Sequence, residues 1–281
     1  MTANAHDMTG SIAPALIIDS GSGGLSIWGH IRRHTPWLPT LYLADFGFYP
    51  YGDKSEQEIE TRVRHIVEQV SERYPAQLIV VACNTASTVV LDHLRARFEQ
   101  PVVGVVPAIK TAATHTKKQV IGLLATQGTV RRAYTDELIR DFASHCQVIK
   151  VGAPDLVQWG EDWVRGHSPD MARLRAIIQP FLDAEADQVV LGCTHFPLLK
   201  PFLRQLAPDI NWVDSGEAIA RRVAYLLQSQ QGGDRAGARG IESRGVGSTS
   251  HRAFYSGANQ DREWERGAAA LGFSSAEQIV L

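Results

Sequence analysis

Long apolar runs are missing from this 281-residue chain. No segment approaches the roughly 18 consecutive apolar residues of a membrane-spanning helix. Met1 to Ile12 has neither the basic lead nor the apolar stretch of a signal peptide, so a cytoplasmic location is expected and no membrane partner is. Cysteine is scarce: three residues, spread widely, cannot build a disulfide framework and are expected to remain thiols in a reducing compartment. No Cys-x-x-Cys pair is present, the His30 and His34 pair falls on a probable helix surface and is assigned nothing, and Cys193-Thr-His195 alone offers two ligands, so no metal is expected. Charge of one sign is also lacking. A formal net charge of -2 gives no electrostatic reason for nucleic acid or an anionic membrane as partner, which leaves a small molecule.

What is present is a regular alternation. Ala15 to Ile18, Thr40 to Ala44, Leu78 to Ala82, Val102 to Val106, Val120 to Leu124, Gln147 to Val151 and Val189 to Leu191 are short apolar runs rich in β-branched residues. Their apolarity is continuous rather than alternating, which predicts strands covered on both faces. Between them Glu56 to Tyr74, Ala86 to Phe98, Arg131 to Ala143, Asp170 to Ala184 and Ser215 to Gln228 carry helical spacing with charged outer faces. The pattern predicts a doubly wound α/β fold with mainly parallel sheets. The expected division is 13–104 with 214–281 for the first domain and 105–213 for the second. Gly232 to Ser250 reads as a loop, followed by a strand at Ala253 to Tyr255 and a helix at Arg262 to Leu271.

Two segments repeat one theme. Leu78-Ile-Val-Val-Ala-Cys83-Asn-Thr85 and Gln188-Val-Val-Leu-Gly-Cys193-Thr-His195 each run a strand into a cysteine and then a polar helix start. Open α/β sheets bind ligands at such strand ends. A helix N-terminus favours a thiolate over a thiol, and its free N–H groups, with Asn84, Thr85 and Thr194 as caps, can grip a carboxylate. Buried cysteines are often mere small hydrophobes, the reading kept for Cys146; two in matching contexts point to chemistry instead. A racemase must work equally well in both directions, so each face of the substrate carbon needs a group that is base one way and acid the other, which two thiols supply. The rival use is a nucleophilic thiol with His195, which leaves Cys83 idle and asks two residues on one tight turn to face each other.

Around the thiols, Asp19 closes the first strand before a glycine-rich turn and is a candidate to orient Cys83, or else a local turn cap. A dinucleotide fingerprint with Asp45 as ribose ligand fits poorly, because Asp19 would face the pyrophosphate and Ser26 stands where the third glycine is needed. His195 is the matching candidate beside Cys193.

Taken in order, Asp19-Ser-Gly-Ser-Gly-Gly-Leu-Ser26, Tyr51-Gly-Asp-Lys-Ser55, Ala82-Cys-Asn-Thr-Ala-Ser87, Gly104-Val-Val-Pro-Ala108, Leu124-Ala-Thr-Gln-Gly-Thr129, Leu191-Gly-Cys-Thr-His-Phe-Pro-Leu-Leu199 and Val213-Asp-Ser-Gly216 resemble the glutamate racemases. The resemblance runs from about Ile17 to Gln228. It implies two similar doubly wound α/β domains with the active site in the cleft between them, and a cofactor-independent isomerase, free of pyridoxal, that supplies D-glutamate for peptidoglycan and cell-wall biogenesis. It assigns Cys83 to the D-enantiomer and Cys193 to the L-enantiomer, with Asp19 and His195 as helpers. Ser20, Tyr51, Gly52, Asn84, Thr85 and Thr194 would hold the substrate. A further family carboxylate maps to Glu161, whose alternative is a charge on a helix surface. Arg132 stands where many relatives carry serine, which resembles the proteobacterial branch and implies a cell-wall precursor as an activator. Monomer and homodimer are both compatible with the sequence.

Overall fold

A computed structural model describes residues 12–231 and 249–281. Within these residues ten strands alternate with eleven α-helices. They run β1 (Ala15–Asp19), α1 (Leu25–His34), β2 (Thr40–Ala44), α2 (Glu56–Arg73), β3 (Leu78–Val81), α3 (Asn84–Arg97), β4 (Val102–Gly104), α4 (Ile109–His115), β5 (Val120–Ala125), α5 (Gln127–Arg131) and α6 (Ala133–Ala143). β6 (Gln147–Gly152), α7 (Asp155–Val164), α8 (Met171–Asp183), β7 (Gln188–Leu191), α9 (Lys200–Leu206), β8 (Asn211–Val213), α10 (Gly216–Gln231), β9 (His251–Tyr255), α11 (Arg262–Leu271) and β10 (Ser275–Gln278) follow. Most of the loop expected at Gly232 to Ser250 lies outside the described residues.

Every strand pairing among the described residues is parallel. The first sheet has six strands in the order β10-β9-β2-β1-β3-β4, and the second has four, β6-β5-β7-β8. The chain leaves the first sheet after β4, builds the second through β8, and returns with β9 and β10.

Alternation of side chains across each strand explains why the apolar runs are continuous. In β1, Ala15 and Ile17 join the core beneath α1, α10 and α11, while Leu16 and Ile18 join the core beneath α2 and α3. The second sheet divides likewise: Leu124 and Leu191 face α7, α8 and α9, while Leu123 and Val190 face α4 and α6. Truncating one of the larger of these side chains to alanine costs about 2–5 kcal/mol. The 18-residue helix α2 shows the local logic. Ser55 and Glu58 close a reciprocal box at its start, and Ile59, Val63, Ile66, Val67 and Val70 form its buried stripe.

The structure departs from expectation in places. Arg131 to Ala143 is two helices, not one. At the break Arg132 is extended (φ −73°, ψ 137°) and the Thr135 hydroxyl donates to the Thr129 carbonyl (2.6 Å), taking a main-chain acceptor out of the helical ladder. The helix α1 emerges directly from the glycine-rich turn, without a side-chain cap, and is held by burial of Leu25, Ile27, Trp28 and Ile31. None of the described helices is long and apolar enough to cross a membrane.

Candidate active site

Asp19 is the last residue of β1, Cys83 lies two residues beyond β3, and Cys193 lies two beyond β7. The carboxyl ends of both sheets therefore meet at one place. Hydrogen bonds cross between them there: Thr194 Oγ1 donates to Asp19 Oδ2 (2.9 Å), and Ser26 Oγ donates to the Thr194 carbonyl (2.9 Å).

Cys83 occupies the N-cap position of α3 and is buried. Burial and the neighbouring Asp19 carboxylate push its thiol up, and charge on Cys193 pushes the same way, while the backbone N–H groups of Ala86 and Thr85 pull it down. Asp19 itself, 1% exposed, is raised from 3.8 to about 6, because burial outweighs His195 and the Thr194 and Ser20 hydroxyls. Its oxygens accept from Ser20 (3.2 Å) and from Thr194 across the interface, so it is more than a local turn cap.

The second thiol is built differently. Cys193 was expected at a helix start, but it leads into a turn and a short 3-10 segment, Phe196–Leu199, before α9, so only Cys83 has helix N–H groups beside it, and there burial and Asp19 outweigh them and favour the thiol, against the expected thiolate. Thr194 accordingly turns its hydroxyl to Asp19 instead of capping a helix. His195 is the helper expected beside Cys193, and the two do face each other on the one tight turn. Cys193 Sγ lies 3.8 Å from His195 Nδ1, because the turn folds the imidazole back over the sulfur. Nε2 of the same ring meets Glu161 Oε1 at 2.7 Å, and since a carboxylate only accepts, Nε2 carries a proton. Burial pulls the imidazole down, yet the hydrogen bonds and charges of Cys193 and Glu161 win and hold it well above its ordinary value.

Glu161 is 2% exposed, so it is not a helix-surface charge. Burial pushes its carboxyl up, but His195 and both the hydroxyl and backbone N–H of Ser22 hold it at about 2. Ser22 N and Oγ donate to its two oxygens at 2.6 Å each, and Arg165 Nη1 adds 2.8 Å. The glycines of the β1 turn make this approach possible. A Cβ on Gly21 would fall on Glu161 Oε1, and one on Gly23 would sit 2.6 Å from His195 Nδ1.

The remaining candidates divide. Ser20 and Asn84 are buried at the site, and Asn84 Oδ1 has no partner. Thr85 is the second residue of α3, where its carbonyl accepts from Arg132 Nη1 (3.4 Å); the same nitrogen donates to Thr88 Oγ1 (2.6 Å), tying the two sheets together. Tyr51 lies close enough to Cys83 to feel its charge, but its hydroxyl donates to Asp45 (2.9 Å). Gly52 is exposed, with nothing near the position of a Cβ. Asp45 is further held by both arms of Arg62 and by Ser256, which leaves no oxygen for a ribose.

Sequence reasoning passed over Ser22, Tyr49 and Arg165. Tyr49 stands 6.2 Å from the His195 ring, and burial with the charges of Glu161 and Cys193 pushes its phenol up. Arg165 carried a signal, four residues after Glu161 on one helix face. Among the described residues no cluster of His, Cys, Asp or Glu is arranged to hold a metal ion. Two surface concavities of about 500 and 630 Å3 lie elsewhere and include neither thiol.

Two parallel sheets that meet at their strand ends and bring a thiol each to one buried polar cluster have the architecture of an α/β isomerase. The sequence pattern of the Asp/Glu/hydantoin racemases matches residues 31–223, and this chain belongs to that family. A curated relative, the glutamate racemase of Salmonella paratyphi A, is 52% identical over 218 residues, 76% of this chain and 77% of that protein. Escherichia coli glutamate racemase, solved in complex with L-glutamate and activator UDP-MurNAc-ala, superposes with a TM-score of 0.84 at 42% identity, covering 96% of this chain and 99% of that one. Glutamate racemase isoform RacE1 of Bacillus anthracis gives 0.75 at 27% identity over 96% and 98%.

Proposed function

We propose that this chain interconverts L- and D-glutamate by passing a proton between two thiols, Cys83 and Cys193, on opposite faces of the α-carbon. The single observation that carries the reading is geometric: the Thr194–Asp19 hydrogen bond joins the two strand ends that bear the thiols, with Cys83 at the start of α3 and His195 Nδ1 3.8 Å from the Cys193 sulfur. Family membership and 52% identity to a glutamate racemase support the substrate.

From L-glutamate, the Cys193 thiolate removes the α-proton and the electron pair spreads onto the substrate carboxylate. The Cys83 thiol then gives its proton to the opposite face, leaving Cys83 as thiolate and Cys193 as thiol; the D-to-L direction is the reverse. The α-hydrogen is a very weak acid, so the site must stabilise the carbanion with prearranged donors. The Thr85 hydroxyl is one donor, Ser20 and Thr194 join it by turning their hydroxyls from Asp19 to the substrate, and the unpartnered, buried Asn84 Oδ1 is an acceptor suited to the substrate ammonium, since such an atom is costly to leave unpaired. His195, held by Glu161, supplies and removes the Cys193 proton, while Asp19 serves Cys83. Tyr51, which packs in the same core cluster as Cys83, and the exposed Gly52 beside it are the substrate-binding candidates on that side. No pyridoxal or metal enters this chemistry. The domains are 13–104 with 214–281 and 105–213, a division supported by the sheet to which each strand belongs. The D-glutamate feeds peptidoglycan in the cytoplasm. A muramyl precursor is the proposed activator, by likeness to the E. coli enzyme bound to UDP-MurNAc-ala, and assays with and without it read this input.

Incubation of the chain with L-glutamate and no added cofactor should bring circular dichroism at the amino-acid band to zero as the enantiomers equalise. A steady signal sinks the reading; equal turnover of L-aspartate would broaden the substrate to small acidic amino acids.

The Cys193-His195-Glu161 contacts also suit a thiol hydrolase. That reading predicts an acyl-enzyme at Cys193 and full activity without Cys83.

A further inference from the structure

We propose that the first turn of α11 positions the Cys193 half of the site: Asp261 acting through Arg165, and Trp264 acting through Ser22, fix the Glu161 carboxylate against His195. The proposal rests on the two-thiol reading above. It concerns residues beyond 223, where the family pattern ends.

Trp264 is fully buried, and its indole N–H, a donor only, goes to Ser22 Oγ (2.9 Å). Because that oxygen accepts from the indole, its own hydrogen is left to point at Glu161 Oε2, 2.6 Å away. The second branch runs in parallel. Arg165 places both Nε (3.0 Å) and Nη2 (2.7 Å) on Asp261 Oδ2, which fixes the guanidinium plane and aims Nη1 at Glu161 Oε2 (2.8 Å) and at the Glu161 carbonyl (3.0 Å). The other oxygen of Asp261 accepts from Trp264 N (2.8 Å), and Asp261 N donates to the Tyr255 hydroxyl (3.2 Å), so Asp261 is itself immobilised. Both branches end on Oε2. They leave Oε1 to His195 and to Ser22 N, and they hold Glu161 in one orientation. Glu161 comes from the second sheet's α7, whereas Ser22, Asp261 and Trp264 come from elements of the first. The turn therefore also sets where one half of the acid–base apparatus stands relative to the other, and small misplacement of a proton-transfer group is costly in rate.

The test uses Trp264→Phe, which keeps an aromatic ring and removes the donor, and Asp261→Asn, which still caps α11. Glutamate enantiomers have equal free energy, so kcat/KM must fall equally in both directions, by about ten-fold for one lost hydrogen bond to a charged network. The discriminating readout is the primary isotope effect on kcat/KM with α-deuterated L- and D-glutamate. If only proton transfer at Cys193 slows, the effect rises for the enantiomer it deprotonates and falls toward one for the other, whose solvent-derived protonation becomes limiting. With Cys193 serving the L-enantiomer, a rise for L-glutamate with a fall for D-glutamate supports the proposal, and the opposite parting overturns it. Isotope effects that stay at their wild-type values, or move together, overturn it. In a Glu161→Gln background Trp264→Phe should add less than about two-fold, because its route to His195 is already cut; a further loss of about ten-fold contradicts the route. Failure of the underlying reading looks different: the unaltered chain would then not racemise glutamate at all.

Discussion

The two thiol environments reach one chemistry by different means. Cys83 sits at the first turn of a helix, buried, with backbone N–H groups and the Asp19 carboxylate as its surroundings. Cys193 sits in a turn with no α-helix directly behind it, half-buried, with an imidazole over its sulfur and a buried carboxylate behind the imidazole. Similar strand ends have thus been completed by unlike acid–base groups. A helix terminus offers fixed partial charge, whereas the His195–Glu161 pair offers a mobile proton. The two meet where Thr194 donates to Asp19, so the halves are unlike but coupled.

The largest effect should come from deleting either sulfur. Cys83→Ala and Cys193→Ala are each expected to lower racemisation by about a thousand-fold or more, the upper range for a lost acid–base group. Retained activity in Cys83→Ala alone would break the comparison in favour of a hydrolase. Next come the helpers of Cys193. His195→Asn should cost about a hundred-fold in kcat/KM. Glu161→Gln should lose a similar amount and also destabilise the fold by roughly 3 kcal/mol, because His195 loses its buried counter-charge and Arg165 loses one of two. That stability has a defined pH window. The Glu161 carboxyl is held at about 2 against 4.5, so its contribution is present above 4.5 and lost as pH falls through about 2. Urea unfolding of wild type and variant at about pH 7 and about pH 3 reads both the loss and its window.

Asp19 sharpens the contrast on the other side. Its ionised form should be needed, so kcat/KM should fall as pH drops below about 6, and Asp19→Asn should remove that limb while costing about ten-fold at about pH 8. The sign for stability is opposite to that of Glu161. Asp19 is raised from 3.8, so its stabilising contribution is full below 3.8 and lost as pH rises through about 6; falling activity in that window is therefore not unfolding driven by this group. The smallest effect is expected at Arg132, whose removal in Arg132→Ala severs the link to Thr85 and Thr88 and should raise KM by about two- to five-fold with kcat nearly kept.

How much of this was legible depends on the distance over which each feature is specified. Strands such as Leu78 to Val81 announce themselves locally, because burial on both faces demands an unbroken apolar run. The two cysteines were legible for the same reason, each being anchored to such a run. The surroundings of Cys193 were not. Gly192 to Pro197 is compatible with a helix start, and only folding shows the turn that brings His195 over the sulfur. Glu161 lies 139 residues from Ser22 and 34 from His195, so of its partners only Arg165, four residues on, is written in its neighbourhood. The helix α1 was hidden by the glycines before it, and the role of Trp264 by its 242-residue separation from Ser22.

The most direct test is to mix the chain with L-glutamate in deuterium oxide and analyse both enantiomers by mass at a few per cent conversion. Opposed thiols predict one deuterium on the α-carbon of the D-glutamate formed and none in the L-glutamate recovered. Label divided equally between the two, or D-glutamate retaining the original hydrogen, would mean that a single group serves both faces and would contradict the account.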